Sequence, residues 1–510
     1  MLDNEVKSRD RSYKSPVRKL IRFFEESRNQ WKAKCLNAKY QIKLLSNKIG
    51  YLEKRKAELT NKVKELEKKL EDLREEKMVI TPPGGGKFDI IPSFHTYSIA
   101  HICLFVEFVL SGGASLRGAS RILGIITSFM NLGGSTPSWH TGRFWLLRLG
   151  YYKLERAKQK ATDWIWVVDH TVQLGSEKCL VIVGIRQSSL PAVDLRLSHE
   201  DVEPIALLPV SKSNGAVVYE QLVQTVEKTG VPRQIVGDYG PDIKSGIERF
   251  CREHPPTCYT YDIKHKGATL LKRELQNDAD WIKFTQSAAQ AARKLQQTIL
   301  MRLCPPNQRS KARYMNVDKL VQWGQDVLNY VGRGGNNESD GLARIDEKLG
   351  WLHQYRDQIK SWGNLIKVVE SAVEFVRSVG IYRHCSIDME TAVEECVNDE
   401  RANRVRHELI SFVEKQSLNA RGDEVLIGSS EVLESAIGKF KSLEHDQAKS
   451  GFTSMLLSFA AFLSKTTQDV IQTALQVVPT KKIREWFNEN IGQSVQAQRK
   501  QFLKLARTAE

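Results

Sequence analysis

The chain has no CxxC pair, and its eight cysteines are scattered over 510 residues without the close spacing of a disulfide framework. That argues against a small stapled secreted fold and makes a reducing, cytoplasmic compartment the default. Long apolar runs are missing too. The most apolar stretch, Ile99 to Leu110, contains His101 and Glu107 and falls well short of the ~20 residues that a spanning helix needs. The start, Met1-Leu-Asp-Asn-Glu, lacks a basic segment leading into an apolar core, so no secretory leader is expected. Negative charge is scarce: 60 acidic residues face 76 Lys and Arg, a net charge of +16. Such a surplus favours a polyanion as partner, and without a membrane segment nucleic acid comes first. No repeat at solenoid period is visible. What is present is a globular chain, 41% hydrophobic and long enough for two or three cores.

Residues 1–20 are polar and basic, and read as an arm. Over 21–80, Ile42, Leu45, Ile49, Leu52, Leu59, Val63, Leu66, Leu70 and Leu73 alternate at spacings of three and four, with Lys56 at one a position. Glu and Lys fill the other faces, which predicts a coiled coil joining a homodimer, parallel by its a and d residues, or a higher homo-oligomer. The seam would span roughly 48 Å. Pro82-Pro83-Gly84-Gly85-Gly86 breaks it, making 81–87 a linker. Residues 88–162 read as a helical, helix-turn-helix-like domain. One helix is capped near Ser115, and a second starts at Thr136-Pro137 and runs through Leu149. Arg117, Arg121, Arg143, Arg148 and Lys153 are its candidates for contacting double-stranded DNA.

From 163 the pattern changes to strands. Trp164-Ile-Trp-Val-Val runs into Asp169, and Cys179-Leu-Val-Ile-Val follows after Gly175-Ser176. Short β-branched runs of this kind suit buried strands. Ala192–Leu197 with Ile205–Val210 reads as a third strand, Asn214–Lys228 as a helix and Arg233–Asp238 as a fourth strand. Pro241–His254 then reads as a helix and Thr257–Ile263 as a fifth strand. Residues 266–428 are helical, 429–466 carry a Gly-Ser-Ser-started helix with Glu434, and 467–510 end in a basic tail.

Asp169 and Asp238 both follow apolar strands. If the first and fourth strands are neighbours, two like charges meet and persist ionised only beside a cation. Oxygen donors without histidine suit Mg²⁺ or Mn²⁺ rather than zinc. Glu434 supplies a third carboxylate, with Lys441 two turns further along the same helix face; Glu431 is a rival acid one turn earlier. Asp242 is a rival for Asp238, although a place in the first turn of the helix from Pro241 suits it better. A zinc set from Cys251, His254, Cys258 and His265 matches no common finger spacing. Trp281, Trp323, Trp351 and Trp362 read as core, although one of them stacking on a flipped base is an open alternative.

Asp169, Asp238 and a glutamate on a late helix resemble the DDE transposases of the ribonuclease H-like fold. Asp262-Ile-Lys-His265 resembles the C/D-x-x-H motif of the hAT superfamily, and Glu434 with Lys441 resembles the E-x6-K spacing of bacterial insertion-sequence transposases. The resemblance implies an α/β ribonuclease H-like core with a mixed sheet, split by the all-helical insertion. It also implies two-metal DNA strand cleavage and strand transfer, with Asp169, Asp238 and Glu434 as catalytic metal ligands and Asp262, His265 and Lys441 as auxiliaries. Such an enzyme would act in the cytoplasm, on the nucleoid. The alternatives are a non-cleaving DNA-binding protein of the same architecture and a metal-dependent DNA nuclease without strand transfer.

Overall fold

Five strands form one mixed sheet in the computed structural model, in the order β3-β2-β1-β4-β5. β1 is Trp164–Leu174, β2 Glu177–Arg186, β3 Glu203–Val210, β4 Gln234–Gly237 and β5 Cys258–Tyr261. The first three pair antiparallel, whereas β4 runs parallel to β1 and β5 parallel to β4. The structure describes residues 16–32, scattered positions from 34 to 60, 91–92, 95–130, 135–174, 177–307, 314, 317–332, 345–394, 399–445 and 455–491.

Alternation along the strands sends their apolar residues into two cores. Ile165, Val167, Val181 and Val183 join one core with the helices Ile99–Leu110, Leu116–Phe129, Trp139–Glu155, Glu431–His445, Leu456–Ala461 and Gln468–Val477. Trp164, Trp166, Val168 and Ile182 join the other, with the helices Gly215–Thr229 and Pro241–Glu253. Between β5 and the Glu431–His445 helix lies a helical segment with its own core. It runs through Ile263–Leu275, Ala279–Leu295, Asp318–Gly332, Arg356–Val379, Cys385–Glu394 and Glu400–Ser417. The fold is thus an α/β core carrying a large helical insertion. The four insertion tryptophans pack in or against that core: Trp281 and Trp362 are buried, with rings 5.0 Å apart edge to face. The Trp323 indole N–H donates to the Leu303 carbonyl at 2.9 Å.

Several elements differ from the sequence reading. Residues 192–197 form no strand, and the fifth strand stops at Tyr261 because Asp262 caps a helix there. The helix expected from Thr136 starts after Ser138, whose hydroxyl accepts from Thr141 N–H, and runs on to Glu155. Residues 99–155 do not form a core of their own. They share one with the sheet and the C-terminal helices, because the Trp139–Glu155 and Leu456–Ala461 helices approach very closely. A Cβ on Gly150 would lie 1.8 Å from the Leu457 carbonyl oxygen.

Residues 1–85 and 86–510 are separate compact units. In the first, residues 17–32 are helical, and of the expected seam positions Ile42 is 66% and Ile49 55% exposed. The other apolar positions of the expected coiled-coil seam lie outside the described residues. Among the described residues, no helix is long and apolar enough to cross a membrane.

Candidate active site

The parallel register of β1 and β4 sets Val168 opposite Gly237, so Asp169 and Asp238 are the next residues on strands about 4.8 Å apart. Val167 and Val236 face the same core. Two residues further on, each aspartate points to that face, the one against which the Glu431–His445 helix packs. Asp169 does not end its strand as expected. β1 continues against β2, and Asp169 sits where the parallel ladder stops. Its carboxylate accepts the His170 amide at 2.7 Å. Burial, and next the charge of Asp238, push the Asp169 carboxyl up to about 7, with a smaller push from Glu434. A carboxyl placed so takes up either a proton or a cation.

Glu434 sits in the first turns of its helix. Its carboxylate accepts from Lys264 Nζ at 2.8 Å and lies 3.1 Å from His265 Nε2. Burial alone would raise this group, but the His265 and Lys264 hydrogen bonds outweigh it and hold the carboxyl down at about 2. His265 is held up at about 9: burial opposes protonation, but the Glu434 bond and the charge of Asp262 outweigh it. Both cations belong to the first turn of the Ile263–Leu275 helix. Among the described residues, no three His, Cys, Asp or Glu side chains stand together at metal-ligand spacing. Asp169 and Asp238 form the close pair, and Glu434 is engaged beside them by Lys264 and His265.

A set of fully satisfied polar groups holds Glu434 there. Asp262 is wholly buried; one oxygen caps its helix through His265 N–H at 3.0 Å. The other accepts Ser430 N–H at 2.5 Å and Ser430 Oγ–H at 2.7 Å. Gln234, buried on β4, donates to the Ile427 carbonyl at 2.6 Å and accepts the Ile427 amide at 3.2 Å. The 427–430 segment is therefore clamped to the sheet immediately before the glutamate helix begins. The clamp residues Gln234, Lys264 and Ser430 were not singled out from the sequence. A lone amide in an otherwise apolar strand was the available signal for Gln234.

Other candidates have different partners. Lys441 is exposed two turns along the helix, beside Glu444. Glu431 is ion-paired with Arg377 at 2.5 Å. Asp242 accepts from Lys178 at 3.0 Å, with His170 3.7 Å away. Despite burial, the Lys178 and Ser213 hydrogen bonds keep its carboxyl at about 2. His254 stacks on Phe250, and burial pushes the Cys251 thiol up to about 12, away from the thiolate that zinc binding needs.

The basic residues divide. Arg117 and Arg121 are exposed, Arg117 lying over the Trp139 ring. Arg143 is half-buried against Phe144. Arg148 donates to the carbonyls of Val478 and Leu475 and sits 3.0 Å from His95 Nε2. Lys153 is completely buried, donating to the Ala461, Leu463 and Ser464 carbonyls and the Thr466 hydroxyl at 2.6–3.1 Å. Expected to meet DNA, Arg148 and Lys153 instead hold the C-terminal helices, because a buried cation persists only where oxygens replace water.

No family model and no curated protein matches the chain. A solved structure, the Drosophila P element transposase strand transfer complex, aligns with 82% of this chain and 100% of that chain, at 11% identity and a TM-score of 0.34. From so distant a likeness neither fold nor chemistry follows.

Proposed function

We propose that the chain is a metal-dependent DNA strand-cleaving and strand-joining enzyme of the DDE transposase type. The observation that carries this is the parallel register that sets Asp169 beside Asp238, on the face packed by the helix of Glu434. The mixed sheet, interrupted by a helical insertion before that glutamate, supports the ribonuclease H-like reading, and the net charge of +16 supports a DNA partner.

The donor set suits Mg²⁺ or Mn²⁺: oxygen ligands, with a buried carboxyl at Asp169 made costly to ionise by its like-charged neighbour. Two such ions, when bound, activate a water or 3′-hydroxyl and stabilise the leaving oxygen in an in-line displacement. Asp169, Asp238 and Glu434 are the carboxylates that would hold the ions. His265 holds its proton at Nε2 and, with Lys264, keeps Glu434 ionised and in place. Arg117 and Arg121 offer exposed positive charge for phosphates.

The test is nicking of a duplex carrying the element's ends in Mn²⁺, and joining of a pre-cut 3′-end to target DNA. Loss of both on Asp169→Asn is expected. Nicking without joining assigns a nuclease. The engagement of Glu434 by Lys264 and His265 favours a second reading, a DNA-binding protein that does not cut; tight binding with no metal-dependent nicking supports it. The heptad seam over 42–73 further proposes a homodimer. Deleting residues 22–77 should give monomers in sedimentation, and an unchanged dimer refutes the seam.

A further inference from the structure

The helix Leu116–Phe129 is apolar on two faces. Leu116, Ala119 and Leu123 turn inward and are buried. Away from them Ile125 is 67% and Phe129 90% exposed, and Ile122 and Met130 are exposed as well. A helix on the surface of a monomer carries polar residues away from its buried stripe; this one carries isoleucine and phenylalanine. Contiguous exposed apolar side chains of this kind mark a surface that meets a partner. Duplex DNA gives such a ridge little to bind, because its outer surface is phosphate. Arg117 and Arg121, both exposed, border the ridge, and the helix carries no acidic residue.

Gly118, Ile122, Ile125 and Phe129 share this outward face, at spacings of four, three and four residues. The series is the same read in either direction. Two such helices laid antiparallel therefore set Ile122 against the partner's Ile125, and Phe129 against the partner's Gly118, where no side chain fills the space. Glycine inside a helix costs about 1 kcal/mol against alanine, and here it opens a gap for the phenyl ring. Charge favours the same direction. A parallel pair would bring the arginines together. The antiparallel pair sets Arg117 beside the partner's Met130, at the helix end whose unpaired carbonyls carry partial negative charge. We propose that this ridge is a two-fold contact between two copies of the chain. The contact is separate from the heptad seam and from the acid pair, so it forms whether or not the protein cuts DNA.

The test is a photo-crosslink in the full chain without DNA. The variant Phe129→p-benzoylphenylalanine is illuminated in an equal mixture of isotopically light and heavy protein, so that links between copies are told from links within one. Links should join position 129 of one copy to residues around Gly118 of another. A two-fold contact meets each substitution twice, so Ile125→Arg should lower the yield of these links about tenfold, with unchanged thermal melting; Ile125→Leu should keep it. The absence of links between copies overturns the proposal, as do links that fall far from Gly118 or a yield that folded Ile125→Arg protein retains. Added duplex that diverts the link onto DNA overturns it too, and makes the ridge a DNA contact.

Discussion

Two groups of carboxylates lie along the same end of the sheet, and their surroundings are opposite. Asp262 is buried deeper than Asp169, yet its oxygens are taken up by the His265 amide and both donors of Ser430. Asp169 accepts the His170 amide and otherwise faces Asp238. The first arrangement is complete in the protein alone and holds a helix in place. The second is left short of donors, so that it takes up either a proton or a cation. A buried acid therefore marks a site only when its neighbours do not satisfy it.

Breaking the two groups should have different consequences. Asp169→Asn and Asp238→Asn should each lower metal-dependent nicking by about a thousandfold, the scale of losing a main electrostatic stabiliser, with unchanged melting and DNA binding. Residual nicking close to that of the parent would remove the acid pair from the chemistry. Lys153→Met should act on stability instead. It strands three carbonyls and a hydroxyl in the core, a loss of about 3 kcal/mol measurable by urea titration. Asp262→Ala should lower kcat about tenfold to a hundredfold, as positioning groups around metal ligands do, with KM for DNA little changed. Asp262→Asn should recover part of the rate, and equal damage by both variants would leave Asp262 a purely structural role.

Asp242 sharpens the contrast most finely, because it lies four residues from Asp238. Asp242→Asn should keep nicking and lose no more than about 1 kcal/mol of stability, as for a partly exposed ion pair. Its folded carboxyl stands at about 2 against an ordinary 3.8. The group therefore stabilises the fold above pH 3.8, and that contribution disappears as pH falls toward 2. Acid titration of the variant should show a smaller stability loss in that window, and an identical acid limb would refute the Lys178–Asp242 pairing.

Much of this was legible along the chain. The five strands, their order with the intervening helices, and the insertion follow from β-branched runs and helical spacing, which are local signals. Asp169, Asp238 and Glu434 were legible as acids at the ends of such runs or on a capped helix. Lys153 and Arg148 were misread, because a basic helix looks the same whether its cations face DNA or the carbonyls of a helix more than 300 residues away. The clamp was hidden for a related reason: Gln234 and Ser430 gain their roles from partners that sequence distance conceals, and Asp262, singled out by its motif, showed no sign of its bond to Ser430.

Periodicity and composition by themselves determined the α/β core, the helical insertion, the heptad segment and the basic charge, since each depends on neighbours within a few residues. Only the tertiary structure decided which charges are satisfied. It set Asp169 beside Asp238 through strand register, turned Lys153 inward and attached Glu434 to Lys264 and His265. The cost of a charge depends on the dielectric and the partners around it, and these are brought together by folding rather than by order along the chain.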